Sequence, residues 1–304
     1  MAEMATTRGT KKDAPARSRR PPVTGLSKID LVDIYRTVYL SRRLDDREIQ
    51  LKKRNQLFFQ ISGAGHELPL VCLGRLLDGR RDWFFPYYRD RALALTLGVT
   101  PTEILLQGVG AASDPASAGR QMPCHFGHPT IQIPTVSSCT GTQFLHATGA
   151  AQVNAIVDAV AALQDGRVRR QSDEVIFVSS GDGTTSEGEF WESLNTACNL
   201  RLPVLYLIED NGYAISVPVE VNTAGGSISR LVASFPNLRI EEFDGCDVVE
   251  TQRAVKSAVD YVRAGRGPAL CHAHVVRPYS HSLSDAEAMY RPPEEIEAEA
   301  IRDP

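Results

Sequence analysis

Apolar residues first fall into a helical rhythm at Leu31, Ile34, Tyr35 and Val38, just after Ser27-Lys-Ile-Asp30, which has the form of a capping box. The spacing predicts a long amphipathic helix from Ser27 onward. A second helical stretch is expected after the glycine-rich Ser62-Gly-Ala-Gly-His66, and a third after Tyr88-Arg89-Asp90. Between Gly108 and Pro134 the chain is rich in Gly, Pro, Ser and His with little period, and a loop that long is usually functional. From Thr142 the pattern changes. Short β-rich runs at 175–178, 204–208 and 269–276, with a weaker one at 239–243, alternate with helical stretches. That order predicts an α/β fold, a parallel sheet with helices on both faces, whose ligands bind beyond the carboxyl ends of the strands. No internal repeat is present.

Composition narrows the classes. A chain of 304 residues with 42% hydrophobic content can bury a substantial core. The formal charge of −4 offers no basic field for nucleic acid. No run reaches the roughly 18 apolar residues of a spanning helix, and the N-terminus lacks an apolar signal core, so a cytoplasmic chain without membrane partners is expected. The six cysteines show no Cys-x-x-Cys spacing and read as reduced thiols. Residues 1–22 are rich in Lys, Arg, Ala, Thr and Pro and are expected to form a disordered basic tail ahead of one domain over 23–304.

The most informative stretch is Val175-Ile-Phe-Val-Ser-Ser-Gly-Asp-Gly-Thr-Thr-Ser-Glu-Gly188, where a buried strand runs into Gly181-Asp182-Gly183 and then a helix near Glu187. Glycines on both sides permit close backbone approach, and free N–H groups at the following helix start suit an anion such as a diphosphate. About 28 residues later the next strand delivers Glu209-Asp-Asn-Gly-Tyr-Ala-Ile-Ser216. Adjacent parallel strands would bring Asp182 and Asn211 to one edge. A carboxylate, an amide oxygen and a backbone carbonyl form a hard-oxygen set suited to Mg²⁺, where zinc would want His or Cys.

These paired motifs resemble the thiamine diphosphate signature. In the form Gly-Asp-Gly-x-x-Ser-Glu-Gly with Asn-Gly-Tyr-Ala-Ile-Ser, the sequence is similar to alpha subunits of the first component of 2-oxo acid dehydrogenases, over residues 27–292. The resemblance implies a thiamine-diphosphate-binding fold. It also implies that Asp182, Asn211 and the Tyr213 carbonyl bind Mg²⁺ while the Gly183 and Thr184 amides face the diphosphate. The family usually has Asn where Asp210 stands, and some branched-chain members have Arg where this chain has Glu209. Phe85-Pro-Tyr-Tyr-Arg-Asp90 resembles the family's Tyr-Arg pair, so Tyr88 and Arg89 are expected on the diphosphate. Gly119-Arg-Gln-Met-Pro-Cys-His125 and Ser137-Ser-Cys-Thr-Gly-Thr-Gln143 match further. The second implies Ser138 and Thr140 lining the cofactor, and a monovalent cation, K⁺, near Ser137, Cys139, Thr142 and Gln143. Arg277-Pro-Tyr-Ser-His-Ser-Leu-Ser-Asp285 resembles the loop that carries a catalytic His beside the diphosphate, here His281. Ser282 and Ser284 lie where some members are regulated by a kinase.

The implied reaction is oxidative decarboxylation of a 2-oxo acid, with a slight lean to branched-chain acids, and acyl transfer to lipoamide on a transacylase component. A beta subunit or fused beta portion is the implied partner, because the Glu that activates the aminopyrimidine ring comes from beta and no stretch here reads as a complete beta domain. The chain ends just past Tyr290-Arg-Pro, where the family continues, which suggests a domain truncated at its C-terminus. Pyruvate and acetoin dehydrogenase alpha subunits, transketolases, and a non-catalytic scaffold subunit are the alternatives. His272 and His274 sit two apart on one strand face, as a metal pair or, the reading the residues favour, as packing on a buried strand.

Overall fold

A computed structural model describes residues 25–160 and 173–304; the expected disordered tail at 1–22 lies outside the described residues. Helix α1 spans Lys28–Lys53, and its start is the predicted capping box: the Asp30 amide donates to the Ser27 hydroxyl at 3.2 Å and the Ser27 amide donates to Asp30 at 2.8 Å. Its inward face buries Ile34, Val38 and Leu44, while Leu31 and Tyr35 remain exposed, so the apolar stripe is wider than the face it buries. Helix α2 (Glu67–Gly74) is buried on every side, and α3 (Arg91–Leu97) follows the short strand β1 (Trp83–Phe85). Helix α4 (Pro101–Gly108) opens on a second capping box, Thr100 with Glu103, and Pro at its first turn. No helix or strand follows until α5 (Thr142–Ala159), as the poor periodicity of that loop predicted.

The remaining elements alternate: β2 (Ile176–Gly181), a 3₁₀ turn (Asp182–Ser186), α6 (Gly188–Leu200) and β3 (Val204–Asp210). A small hairpin of β4 (Tyr213–Ala214) and β5 (Val217–Pro218) leads into short helices α7 (Val219–Asn222) and α8 (Ile228–Leu231). Strand β6 (Arg239–Asp244), α9 (Val248–Arg263), β7 (Ala269–His274) and α10 (Pro293–Arg302) complete the chain.

The five long-range strands pair in the order β1-β2-β3-β7-β6, all parallel. Residues of β2 and β3 are buried throughout, because helices cover both faces. On one face Phe177, Leu205, Leu207 and Cys271 pack with α2, α3 and α9; on the other Ile176, Val178, Tyr206 and Leu270 pack with α5 and α6. Each fully buried Leu, Val, Ile or Phe contributes about 1.5–3 kcal/mol relative to exposure. No described helix is long and apolar enough to cross a membrane. The register matters most for chemistry. Gly181 lies level with Glu209, and Asp210 with His274, so the strands end together along one edge.

Candidate active site

Two strand ends build the acidic side of this edge. The β2 strand releases Asp182 into the 3₁₀ turn, where it is 2% exposed, and its Oδ2 has no hydrogen-bond partner among the described residues. Burial, helped by the nearby Asp210 charge, pushes its carboxyl up to about 7. A lone carboxylate oxygen buried this way is costly unless a cation meets it. Gly183 is required beside it, since a Cβ there would stand 2.6 Å from the Cβ of Ala214, in the hairpin that follows Asn211. Asn211 is buried and uses Oδ1 to accept the Tyr213 amide at 3.2 Å.

Two guanidiniums supply the opposite charge. Arg89, 1% exposed, donates to the Tyr87 hydroxyl at 3.0 Å, to the Ser62 carbonyl, and to His281 at both Nδ1 (3.1 Å) and the carbonyl (3.2 Å). Arg277, 2% exposed, donates to the Ile215 carbonyl at 3.1 Å and the Tyr290 hydroxyl at 2.9 Å, and its Nε has no partner among the described residues. Neither guanidinium has a carboxylate within ion-pair distance among the described residues, whereas Arg42, Arg91 and Arg291 do. Two buried cations with no carboxylate in ion-pair range among the described residues, facing one edge, could hold an anion.

His281 stands between them. Burial, then the charges of Arg89 and Arg277, lower its pKa to about 4, so it is neutral near pH 7. Because Arg89 can only donate, the His281 Nδ1 must accept, and the ring proton sits on Nε2. Its amide donates to Asp285 Oδ2 at 2.9 Å, which also receives the Tyr290 hydroxyl at 2.6 Å. Tyr88 meets the His281 ring edge-on, with centroids 6.2 Å apart, and carries the Arg89 guanidinium 5.3 Å over its face.

The Ser/Thr loop comes to the same place. Ser137, Ser138, Cys139, Thr140 and Gln143 line one cleft with Tyr88, His125 and Thr184. The Ser137 hydroxyl accepts the Cys139 amide at 3.1 Å, the Thr142 amide donates to the Cys139 carbonyl at 3.2 Å, and Gln143 donates to the Ser179 carbonyl at 3.3 Å. Thr142 itself does not line the cleft; it opens α5 behind it. Thus the structure gathers Tyr88, Ser138, Thr140 and Thr184 in that cleft and joins it, through Tyr88, to Arg89 and His281.

One group escaped sequence reasoning. His66, fully buried ahead of α2, sets Nδ1 2.7 Å from Glu209 and Nε2 3.2 Å from the Asn211 amide nitrogen. Asn211 Nδ2 donates there, so His66 carries its proton on Nδ1 and gives it to Glu209. Burial and the neighbouring Asp90 carboxyl push Glu209 well above the ordinary carboxylate range. The Ser179 hydroxyl closes the chain on Asp90. The result fixes the Asn211 amide with its nitrogen toward His66. Gly65 lets the chain turn here: its φ is +83°, and a Cβ would sit 2.1 Å from the Val276 carbonyl. The only available signal was Glu209 itself, a charge on a buried strand that had to find a partner.

A family model for the dehydrogenase E1 component matches residues 35–304. The chain is 36% identical over 289 residues to the 2-oxoisovalerate dehydrogenase subunit alpha of Bacillus subtilis (strain 168), covering 94% of this chain and 83% of that protein. It is 30% identical over 278 residues to the 3-methyl-2-oxobutanoate dehydrogenase subunit alpha of Mycobacterium tuberculosis, covering 89% and 67%. A pyruvate dehydrogenase E1 component subunit alpha of Staphylococcus aureus is 28% identical over 285 residues, covering 93% and 70%.

Proposed function

The chain belongs to the dehydrogenase E1 component family, and from that premise we propose that it is the alpha part of a thiamine-diphosphate-dependent 2-oxo acid dehydrogenase acting on branched-chain 2-oxo acids. The reaction is oxidative decarboxylation. The cofactor supplies the electron sink for loss of CO₂, and a beta subunit completes the enzyme. Similarity to two branched-chain alpha subunits at 36% and 30% identity, against 28% for a pyruvate enzyme, favours the branched-chain substrate.

The observation that supports the site is the pairing, among the described residues, of an unpartnered Asp182 oxygen with two buried guanidiniums that have no carboxylate in ion-pair range. A divalent cation and a diphosphate would satisfy both at once. Asp182, Asn211 and the Tyr213 carbonyl are the hard-oxygen set for Mg²⁺, with the Gly183 and Thr184 amides, Tyr88 and Arg89 for the diphosphate. Ser138 and Thr140 line the cofactor cleft. Ser137, Cys139, Thr142 and Gln143 are the set for K⁺. His281, neutral and carrying its proton on Nε2, would donate a hydrogen bond from Nε2 to the reacting group in acyl transfer to lipoamide on the transacylase component.

Decarboxylation and lipoamide acylation by the purified chain with a cognate beta subunit, Mg²⁺ and thiamine diphosphate test this. Turnover of branched-chain acids above pyruvate is expected, and His281→Ala should lose acyl transfer by about 10²- to 10⁴-fold while retaining cofactor. No cofactor-dependent turnover of any 2-oxo acid would favour the scaffold reading instead. Acylation within about threefold of wild type would remove His281 from catalysis.

A further inference from the structure

A second constellation lies on the other face of the sheet. Side chains alternate along a strand, so Asp210 turns away from the face that Glu209 uses to meet His66, toward the face where Tyr206 and Ile208 pack. Strands β3, β7 and β6 are neighbours, with Glu242 level with His272 and Asp210 level with His274. That register brings two imidazoles and two carboxylates together at the strand ends. Asp210 Oδ2 is 2.9 Å from His272 Nε2 and 3.6 Å from His274 Nδ1. The two rings lie 4.4 Å apart between centroids.

We propose that Asp210, His272 and His274 bind a divalent transition-metal ion of the zinc class, distinct from the proposed Mg²⁺ beside Asp182. One ligand atom from each of the three residues lies within 4.8 Å of the others. Zinc bonds of about 2.0–2.1 Å in a tetrahedron separate ligand atoms by roughly 3.4 Å, which the observed 2.9 and 3.6 Å bracket. Two imidazoles with one carboxylate suit zinc and its first-row neighbours, whereas Mg²⁺ prefers oxygen alone.

The far side of each ring supports this. His274 Nε2 reaches Glu242 Oε1 at 3.0 Å and His272 Nδ1 faces the same oxygen at 3.9 Å, while the Ser229 hydroxyl holds Glu242 at 2.7 Å. A carboxylate accepting the remaining N–H of ligating histidines is the usual outer support of such a site. His272 is fully buried and its Nδ1 has no hydrogen-bond partner among the described residues; ligation through Nε2 would leave the ring proton on Nδ1, facing Glu242. Closing the last 0.9 Å between 3.9 and 3.0 Å would pair it. His274 is 42% exposed in its side chain, which leaves an entry path and an open coordination position. Asp210 also accepts the Gly212 amide through Oδ1 at 2.9 Å, so an ion held on Oδ2 would pin the loop that presents Asn211.

The test uses the full chain, stripped with chelator and free of thiamine diphosphate. It is titrated with ZnCl₂ by calorimetry and with CoCl₂ by visible absorption, which reports low coordination number. Wild type and Asp182→Asn should each hold one equivalent of Zn²⁺ that excess Mg²⁺ does not displace, with Co²⁺ giving the intense bands of four or five ligands. His274→Ala should bind at least about 10- to 100-fold more weakly, and Glu242→Gln, which leaves all three ligands in place, about 10-fold or more. Equal binding by wild type and His274→Ala would overturn the site. So would loss of the ion in Asp182→Asn but not in His274→Ala, since the ion would then belong to the diphosphate edge.

Discussion

Two neighbouring buried charge clusters obey opposite rules. Under α1, Arg91 is 1% exposed and is paired with Asp45 and Glu48, while Asp45 also receives Gln60, Ser62 and the Gly63 amide. Two residues earlier in the chain, Arg89 is equally buried and meets only neutral acceptors. The first cluster balances its own charge and so belongs to the fold. The second leaves cations and Asp182 Oδ2 without a partner charge among the described residues, which is what the proposed site for a diphosphate and a divalent cation calls for.

The sharpest way to break this comparison is to remove Arg91. Arg91→Met strips both carboxylates of their cation in a buried site, and the chain should lose about 3–5 kcal/mol of stability in urea unfolding without cofactor. A loss under about 1 kcal/mol would mean that this cluster is no more structural than its neighbour.

Next in size is a pH effect confined to the paired cluster. Burial, opposed by Arg91 and assisted by the Asp45 charge, pushes Glu48 up to about 7. An acid whose folded pKa lies above its unfolded value binds its proton more tightly when folded. Its contribution is therefore present below about pH 4.5 and is lost as pH rises toward 7. Glu48→Gln should flatten that part of the stability profile, by roughly 3 kcal/mol at most. Unfolding at pH 5 and pH 7.5 with the same slope in both proteins would contradict it.

For the unpaired cluster the expectation reverses. Arg89→Met should leave stability without cofactor unchanged or raised, since an uncompensated buried charge is removed. Thiamine diphosphate affinity should fall about 10- to 100-fold, the worth of a charge-assisted contact to phosphate. Calorimetry and thermal melts on the same samples separate the two effects, and a melt lowered as far as that of Arg91→Met would erase the distinction.

The same contrast governs what the sequence disclosed. The placement of Asp182 and Asn211 at one sheet edge was legible because parallel register converts spacing in sequence into adjacency. The long central loop and the strands were legible from period. Helix α4 was not anticipated, although Thr100, Pro101 and Glu103 carry its start signals, because eight residues give little period. Strand β1, three residues long, gave none. His66 and Arg277 could not be read at all. Their roles come from contacts with Glu209, Ile215 and Tyr290 that only the fold creates, and a histidine after two glycines looks like any turn residue.

The smallest effect tests how Arg89 is aimed. Tyr87 is buried against the end of β2, its hydroxyl lying where a Cβ on Gly181 would come within 3.0 Å. That hydroxyl accepts the Arg89 Nε proton at 3.0 Å, which leaves the Nη groups to face Ser62 and His281. Tyr87→Phe keeps the ring and its packing but strands a charged N–H. Arg89 should then rotate toward another acceptor, and cofactor affinity should fall by about three- to tenfold, with stability lowered by about 1 kcal/mol. A purely structural tyrosine would show the stability loss alone. The two readings separate in Arg89→Met, where Tyr87→Phe should no longer alter cofactor affinity, because the guanidinium through which it acts is gone. If the two substitutions instead weaken binding independently, Tyr87 acts on the cofactor by some other route and the aiming role is wrong.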